Sequence, residues 1–151
     1  MTTDATFRIP PPIQAEHEAL HARLAAALRE PGEVGAAARD VARLLHPHFV
    51  REEEFALPPL ALLAPLAHGD AEGLADVLPM TRRLKAELPA MLSEHQQIVR
   101  ALEKLRLAAR DAGRTEHVQF ADDLVLHAQM EESVLYPAAL LVGEVAELRT
   151  R

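Results

Sequence analysis

The chain has 151 residues, 49% of them hydrophobic and 26% charged, which predicts one folded domain rather than a disordered chain. Its net charge of −7 disfavours nucleic acid or an anionic membrane surface as the main partner, because either would require a basic stripe. The absence of cysteine excludes disulfides, iron–sulfur clusters and thiolate zinc sites, so any metal must be bound by histidine and carboxylate.

The N-terminal segment, residues 1–12, contains no basic region followed by an apolar one, so we do not expect a secretory signal. No apolar stretch reaches membrane-spanning length, and the protein is predicted to be cytoplasmic. Three consecutive prolines, from Pro10 to Pro12, should keep this segment extended. We therefore expect a single domain over residues 13–148.

Alanine and leucine dominate the composition while aromatic residues make up only 3%, which favours an all-α fold. The first helix is predicted from about Ile13 to Arg29 and the second from about Glu33 to Ala56. A crossover with short helical pieces then reaches about Leu78. The third helix is predicted from near Pro79 to Arg110. The fourth begins near Thr115, carries Val134 and Leu135 on its inward side, and ends, after a short continuation, near Leu148. Short hairpin turns and one longer crossover predict an antiparallel four-helix bundle.

One motif, H-x-x-x-E-E-x-x-x-x-P, occurs twice in the chain. The first copy, HFVREEEFALP, starts at His48, and the second, HAQMEESVLYP, starts at His127. Residues four apart lie on one face of a helix, so His48 with Glu52, and His127 with Glu131, each project an imidazole and a carboxylate towards the same point. These pairs are typical of metal ligands.

A Glu-His pair precedes each copy of the motif, Glu16-His17 before the first and Glu94-His95 before the second. The pattern therefore indicates two similar helical hairpins in succession. The four histidines and two glutamates fall on predicted inward stripes, where an unpaired carboxylate would be costly and a divalent metal would supply its partner. The predicted metal ligands are His17, His48, Glu52, His95, His127 and Glu131.

These motifs, in this order and spacing, resemble the hemerythrin-like HHE cation-binding family from about Ile13 to Leu141. The resemblance implies a non-haem di-iron centre with an oxo or hydroxo bridge. It further implies that the four histidines are terminal ligands and that Glu52 and Glu131 bridge the irons. Members that carry oxygen reversibly have a second histidine one turn after the first in the third helix. Here that position is Val99, which argues against oxygen carriage.

Two octahedral metals need about twelve ligand positions, of which the implied ligands fill about ten and leave about two open. His21, one turn beyond His17, or His46 could fill one of these positions, or each could be an outer-shell or surface residue. Residues His17 to His21 also match the HExxH zinc-protease signature, with Glu18 as the base. A zinc protease needs a third ligand and a substrate-aligning strand, and no strand is predicted here.

Three further glutamates, Glu16, Glu53 and Glu132, could orient the ligand imidazoles or could lie on a solvated helix surface. The single tyrosine, Tyr136, lies a turn beyond the predicted site and is expected to cap the core rather than to take part in redox chemistry.

The leading functional hypothesis is binding or sensing of oxygen, nitric oxide or peroxide at an iron pair, or storage of iron. One alternative is a di-iron oxidase or peroxidase, or an enzyme that consumes nitric oxide. Another is a metal-free helical interaction module. The sequence leaves open whether the protein is an enzyme, and it predicts a small diatomic or peroxidic ligand rather than a particular protein partner.

Overall fold

The structure is a computed structural model that describes residues 7–70 and 72–150. All regular secondary structure in these two ranges is helical, which confirms the predicted all-α fold. Within the same ranges, no helix combines the length and the apolar character that crossing a bilayer would require.

Two hairpins of long helices build the bundle. In the first hairpin, α1 (Pro11–Leu28) is joined by a tight turn to α2 (Gly32–Arg51). A crossover follows, with a 3₁₀ turn at Pro58–Leu62 and the short helix α3 (Leu63–Ala67). In the second hairpin, α4 (Leu74–Asp111) is joined by a tight turn to α5 (Thr115–Met130).

We call each of the four long helical segments of the bundle a rod. The last rod consists of α5 (Thr115–Met130), one π turn (Glu131–Leu135) and α6 (Tyr136–Arg149). Helix α1 packs on α2, α2 on α4, α4 on α5, and α5 on α1, which closes the ring of four. The tight turns make the helices of each hairpin antiparallel, so the predicted four-helix bundle is confirmed.

Two helix starts differ from the sequence prediction. Helix α1 begins at Pro11, so the prolines there open the helix instead of prolonging an extended segment, and residues 1–6 of that segment lie outside the described residues. Helix α4 begins at Leu74, five residues before Pro79. The early start buries Val77 and Leu78 in an apolar cluster, and this burial outweighs the backbone hydrogen bond that a proline cannot donate.

A π turn interrupts the α-helical pattern at the same place in both copies of the repeated motif, at Glu52–Ala56 and at Glu131–Leu135. A π turn contains about one residue more than an α turn, so every later side chain is rotated relative to a regular helix. Val134, which was expected to face inward, is therefore 54% exposed, whereas Tyr136 is only 1% exposed. The inward assignment of Val134 was wrong for this reason.

The core has two large apolar clusters at successive levels of the bundle. One includes Leu24, Leu45 and Leu102, and the other includes Phe55 and Met91. The predicted metal ligands lie on the helical turns between these two levels, and each of the four rods contributes one histidine. Apolar packing on both sides thus fixes the backbones that carry them.

Candidate metal centre

Six side chains form a central cluster, and each of them is at most 4% exposed. They lie on the buried stripes of α1, α2, α4 and the last rod, among the leucines and alanines of the core. The structure thereby brings together every residue of the main ligand set predicted from the sequence: His17, His48, Glu52, His95, His127 and Glu131.

The central cluster divides into two groups of donor atoms that share Glu131. In each group, one donor atom from every residue lies within 4.8 Å of the others. We call the first the His48 group and the second the His17 group. The His48 group contains His48, Glu52, His95 and Glu131, and the His17 group contains His17, His127 and Glu131.

Glu131 faces the two groups with different oxygens. Its Oε1 lies 3.1 Å from His95 Nε2, while its Oε2 lies 2.9 Å from His127 Nε2 and 3.5 Å from His17 Nε2. A carboxylate that presents one oxygen to each of two neighbouring groups has the arrangement of a bridging ligand.

Glu52 spans the same two groups from the opposite hairpin. Its Oε2 lies 3.3 Å from His48 Nε2 and 3.9 Å from His95 Nε2, and its Oε1 lies 3.6 Å from His17 Nε2. The symmetric roles of Glu52 and Glu131 reflect their equivalent positions in the repeated motif. Each starts a π turn, and each follows its histidine by four residues.

Two donor atoms in the cluster, His17 Nε2 and Glu52 Oε1, are buried without any hydrogen-bond partner. A buried polar atom left unpaired is destabilising, typically by about 1–3 kcal/mol. A cation placed among these atoms would offset that cost. The orphaned atoms and the mixed nitrogen and oxygen donors therefore fit a metal ion.

The buried carboxylates have strongly shifted protonation equilibria when no cation is present. Burial raises the pKa of Glu52 to about 7, and the neighbouring Glu131 carboxylate contributes to this rise. Burial acts on the pKa of Glu131 in the same direction, but the surrounding imidazoles, foremost that of His127, lower it well below its usual range. Without a cation, the site keeps the Glu131 carboxylate ionised and leaves Glu52 partly protonated near neutral pH.

The histidine pKa values show the same competition. Burial acts to lower the pKa of His127, but the Glu131 carboxylate outweighs it and raises the value to about 8. The pKa of His17 is raised likewise, because Glu131 and Glu52 outweigh burial. A bound cation would displace these protons.

Each histidine of the cluster turns its other ring nitrogen, Nδ1, towards a glutamate on a neighbouring rod. The distances are 2.7 Å for both His48–Glu94 and His95–Glu132, 3.3 Å for His17–Glu53, and 3.0 Å for His127–Glu16, the last without the geometry of a hydrogen bond.

An ionised carboxylate can only accept, so a histidine that bonds it carries its proton on Nδ1 and presents the lone pair of Nε2 to the centre. Of the two roles considered for Glu16, Glu53 and Glu132, the hydrogen bonds of Glu53 and Glu132 favour orientation of the imidazoles, whereas Glu16 is 46% exposed and faces His127 Nδ1 without a hydrogen bond. Glu94, which bonds His48 and also pairs with Arg51, has the same role, although it was not predicted from the sequence. Its position just before His95, equivalent to that of Glu16 before His17, could have identified it.

Tyr136 lies inside the centre, so the expectation that it only caps the core was wrong. Its hydroxyl donates a hydrogen bond to Glu52 and lies 3.3 Å from His48 Nε2 and 3.2 Å from His95 Nε2. Burial and the Glu52 carboxylate raise the pKa of the phenol. The π turn before it, which the sequence pattern did not indicate, rotates this side chain inward.

His21 and His46 lie outside both donor groups. Their rings stack on each other at 5.5 Å, and the edge of His21 meets Phe49, whose ring stacks on His17 at 4.2 Å. Burial and His46 lower the pKa of His21. Phe49 thus packs against both histidines of the HExxH motif, His17 and His21. Because His21 lies in neither donor group, the described residues do not favour a zinc-protease site.

A cavity of about 340 Å³ opens between α1 and α5 beside the centre. Glu16, His127 and Met130 line it together with Arg23 and Leu126. It approaches the His17 group, because His127 belongs to that group.

A family model described as the hemerythrin HHE cation binding domain matches residues 12–139. Searches of curated proteins and of solved structures found no match. The family match includes all six residues of the central cluster. The chain therefore belongs to the hemerythrin HHE cation-binding domain family.

Proposed function

We propose that the protein binds a pair of iron ions in the central cluster and uses an open coordination position to bind or sense a small diatomic or peroxidic ligand. One observation carries the proposal: two groups of buried donors are spanned by Glu52 and Glu131, each with one oxygen towards either group. One ion would be held by the His48 group and the other by the His17 group.

Iron suits this donor set because it accepts imidazole and carboxylate ligands together. The chain belongs to a cation-binding family, and because it has no cysteine, its metal ligands must be of these two kinds. When bound, an iron pair supplies a redox-active centre that takes oxygen, nitric oxide or peroxide as an additional ligand. A capacity of two ions per chain favours ligand binding over iron storage.

The chain's own residues prepare the site for metal. We call the glutamates that face the Nδ1 atoms of the four histidines the outer glutamates. Those that bond His48 and His95 hold these imidazoles with their Nε2 atoms inward, and such partners commonly orient histidine ligands in metal centres. Buried apolar side chains on both sides, including Phe49 against His17, keep bulk water from the donors. This low-dielectric environment strengthens the attraction between the carboxylates and a cation.

Iron stoichiometry tests the metal part of the proposal. After anaerobic reconstitution with Fe(II) and desalting, the protein should retain about two iron atoms per chain. His17→Ala should reduce that number, while His21→Ala should leave it unchanged, since His21 lies outside both donor groups. A protein that retains no iron, or only a single tightly held zinc, would contradict the proposal.

Stopped-flow spectroscopy tests the ligand part. The reduced, iron-loaded protein mixed with oxygen, nitric oxide or peroxide should give a spectral change that saturates at a fixed number of ligands per iron pair. With oxygen, we expect lasting oxidation rather than a reversible adduct, because Val99 cannot supply a further imidazole. Continued consumption of peroxide or nitric oxide over many turnovers would instead identify an enzyme.

A further inference from the structure

The two copies of the repeated motif differ at a buried position that adjoins the metal centre. Nine residues after the first histidine, the second copy has Tyr136 and the first copy has Leu57. Both side chains are almost completely buried, and both directly follow a π turn. Only the tyrosine offers a donor atom, so the pseudo-symmetry of the centre is broken here.

The Tyr136 hydroxyl contacts three of the predicted metal ligands. It lies 3.3 Å from His48 Nε2 and 3.2 Å from His95 Nε2, and it bonds to Glu52. With metal–ligand bonds of about 2.1 Å, adjacent corners of an octahedron lie about 3 Å apart. The phenol oxygen therefore has the spacing expected of a donor that shares one ion with these two imidazoles.

We propose that Tyr136 is a fifth protein donor to the ion held by the His48 group, and that the exogenous ligand therefore binds the ion held by the His17 group. This inference rests on the proposed function and specifies which half of its site is open. The His48 group with Tyr136 offers five donors. The His17 group offers four, counting the Glu52 oxygen that faces His17.

The position of the cavity also indicates the His17 group as the half that an exogenous ligand would reach. The cavity of about 340 Å³ between α1 and α5 reaches His127, and Met130 forms part of its wall. Arg51 occupies the position in the first copy that Met130 occupies in the second, three residues after the histidine. Arg51 pairs with Glu94, which bonds His48, so this side is bridged by an ion pair. His127 belongs to the His17 group, so the cavity adjoins this group.

Coordination by Tyr136 forms a metal–oxygen bond and breaks the phenol O–H bond, and the proton leaves to solvent. The anionic oxygen adds negative charge to one ion only. A hard anionic donor favours the ferric state, so the two ions differ in reduction potential as well as in ligand number.

The visible spectrum of the ferric protein tests this assignment without any activity assay. Tyr136 is the only tyrosine in the chain, so any phenolate-to-iron charge-transfer band, with its resonance-enhanced tyrosine ring vibrations, must come from this residue. We expect the band in the iron-loaded wild-type protein and its loss in Tyr136→Phe, with about two irons retained in both. Because the wild-type spectrum is decisive alone, the test stands even if the variant does not fold.

An azide titration of the ferric protein gives a second readout. The wild-type protein should bind one azide per iron pair, and Tyr136→Phe should bind two, because the substitution opens a position on the second ion. Two irons without a tyrosine signature, or two azides bound by the wild-type protein, would overturn the assignment and leave the iron pair intact. Failure to retain iron would overturn the proposed function itself.

Discussion

The two halves of the metal centre are built from equivalent histidines and glutamates, yet their surroundings differ. The His48 group has the hydroxyl of Tyr136 within reach and the Arg51–Glu94 ion pair beside it. At the corresponding places the other half has Leu57 and Met130, and a cavity. The repeat thus explains the shared donor set, whereas residues that break the repeat distinguish the half that we propose is closed from the half that we propose is open.

The largest effect should come from the residue that belongs to both halves. Glu131→Ala removes an oxygen from each donor group at once, so we expect both irons to be lost together. The matched control is Glu132→Ala, whose carboxylate bonds only His95 Nδ1. That variant should keep the pair with an affinity lower by roughly 10- to 100-fold. Iron per chain after desalting measures both, and one tightly bound iron in Glu131→Ala would mean that the halves are independent.

Metal removal should lower the melting temperature clearly. A metal at about 1,000 times its dissociation constant adds roughly 4 kcal/mol to the free energy of unfolding, if only the folded chain binds it. For a chain of this size that corresponds to a fall of roughly 10 °C on removal. Calorimetry of the iron-loaded and the chelated protein measures the difference. An unchanged melting curve would show that Glu52 and Glu131 do not need a cation.

The sequence was sufficient for the bundle and for the clustering of the six predicted side chains, because both depend on simple helical periodicity. One histidine per rod, and a glutamate four residues after two of them, place the donors on inward faces in any regular helix. Tyr136 and Val134 were misplaced because Val134 lies in a π turn and Tyr136 directly follows it, and no hydropathy pattern indicates the extra residue of such a turn. The start of α4 was placed too late because Pro79 suggests the first turn of a helix, while burial of Val77 favours a helix that begins earlier.

The stability of the metal-free protein should depend on pH in a defined direction. Burial raises the pKa of Glu52 from its ordinary value of 4.5 to about 7, so its contribution to stability is full below 4.5 and is lost as the pH rises through about 7. The raised pKa of His127, about 8, acts with the same sign. The chelated protein should therefore become less stable from pH 5 to pH 8. Chemical denaturation at several pH values checks this trend, and rising stability over that range would contradict it.

Replacing the outer glutamates should reveal a further difference in iron affinity between the two halves. Glu94→Gln and Glu16→Gln are matched, because each residue precedes a histidine and contacts the histidine of a neighbouring rod. Each should weaken iron binding by up to roughly 10- to 100-fold. The loss should be greater for Glu94, which Arg51 holds against His48 and which is less exposed than Glu16. Competition with a chelator measures both affinities, and an equal or reversed order would remove this difference between the halves.

The smallest effect concerns the route to the open half. Met130→Arg copies the residue of the first repeat into the cavity wall and should slow association of nitric oxide with the reduced protein several-fold. Arg51→Met, the reciprocal change, should leave that association rate nearly unchanged. Stopped-flow mixing measures both rates. Faster association in Arg51→Met, with no change in Met130→Arg, would place the route on the His48 side.

The most direct measurement is anomalous diffraction at the iron absorption edge from crystals of the iron-loaded protein. The account predicts two anomalous peaks per chain, one among His48, Glu52 and His95 and the other between His17 and His127, with Glu131 contacting both. A single peak, or none within the central cluster, would contradict it.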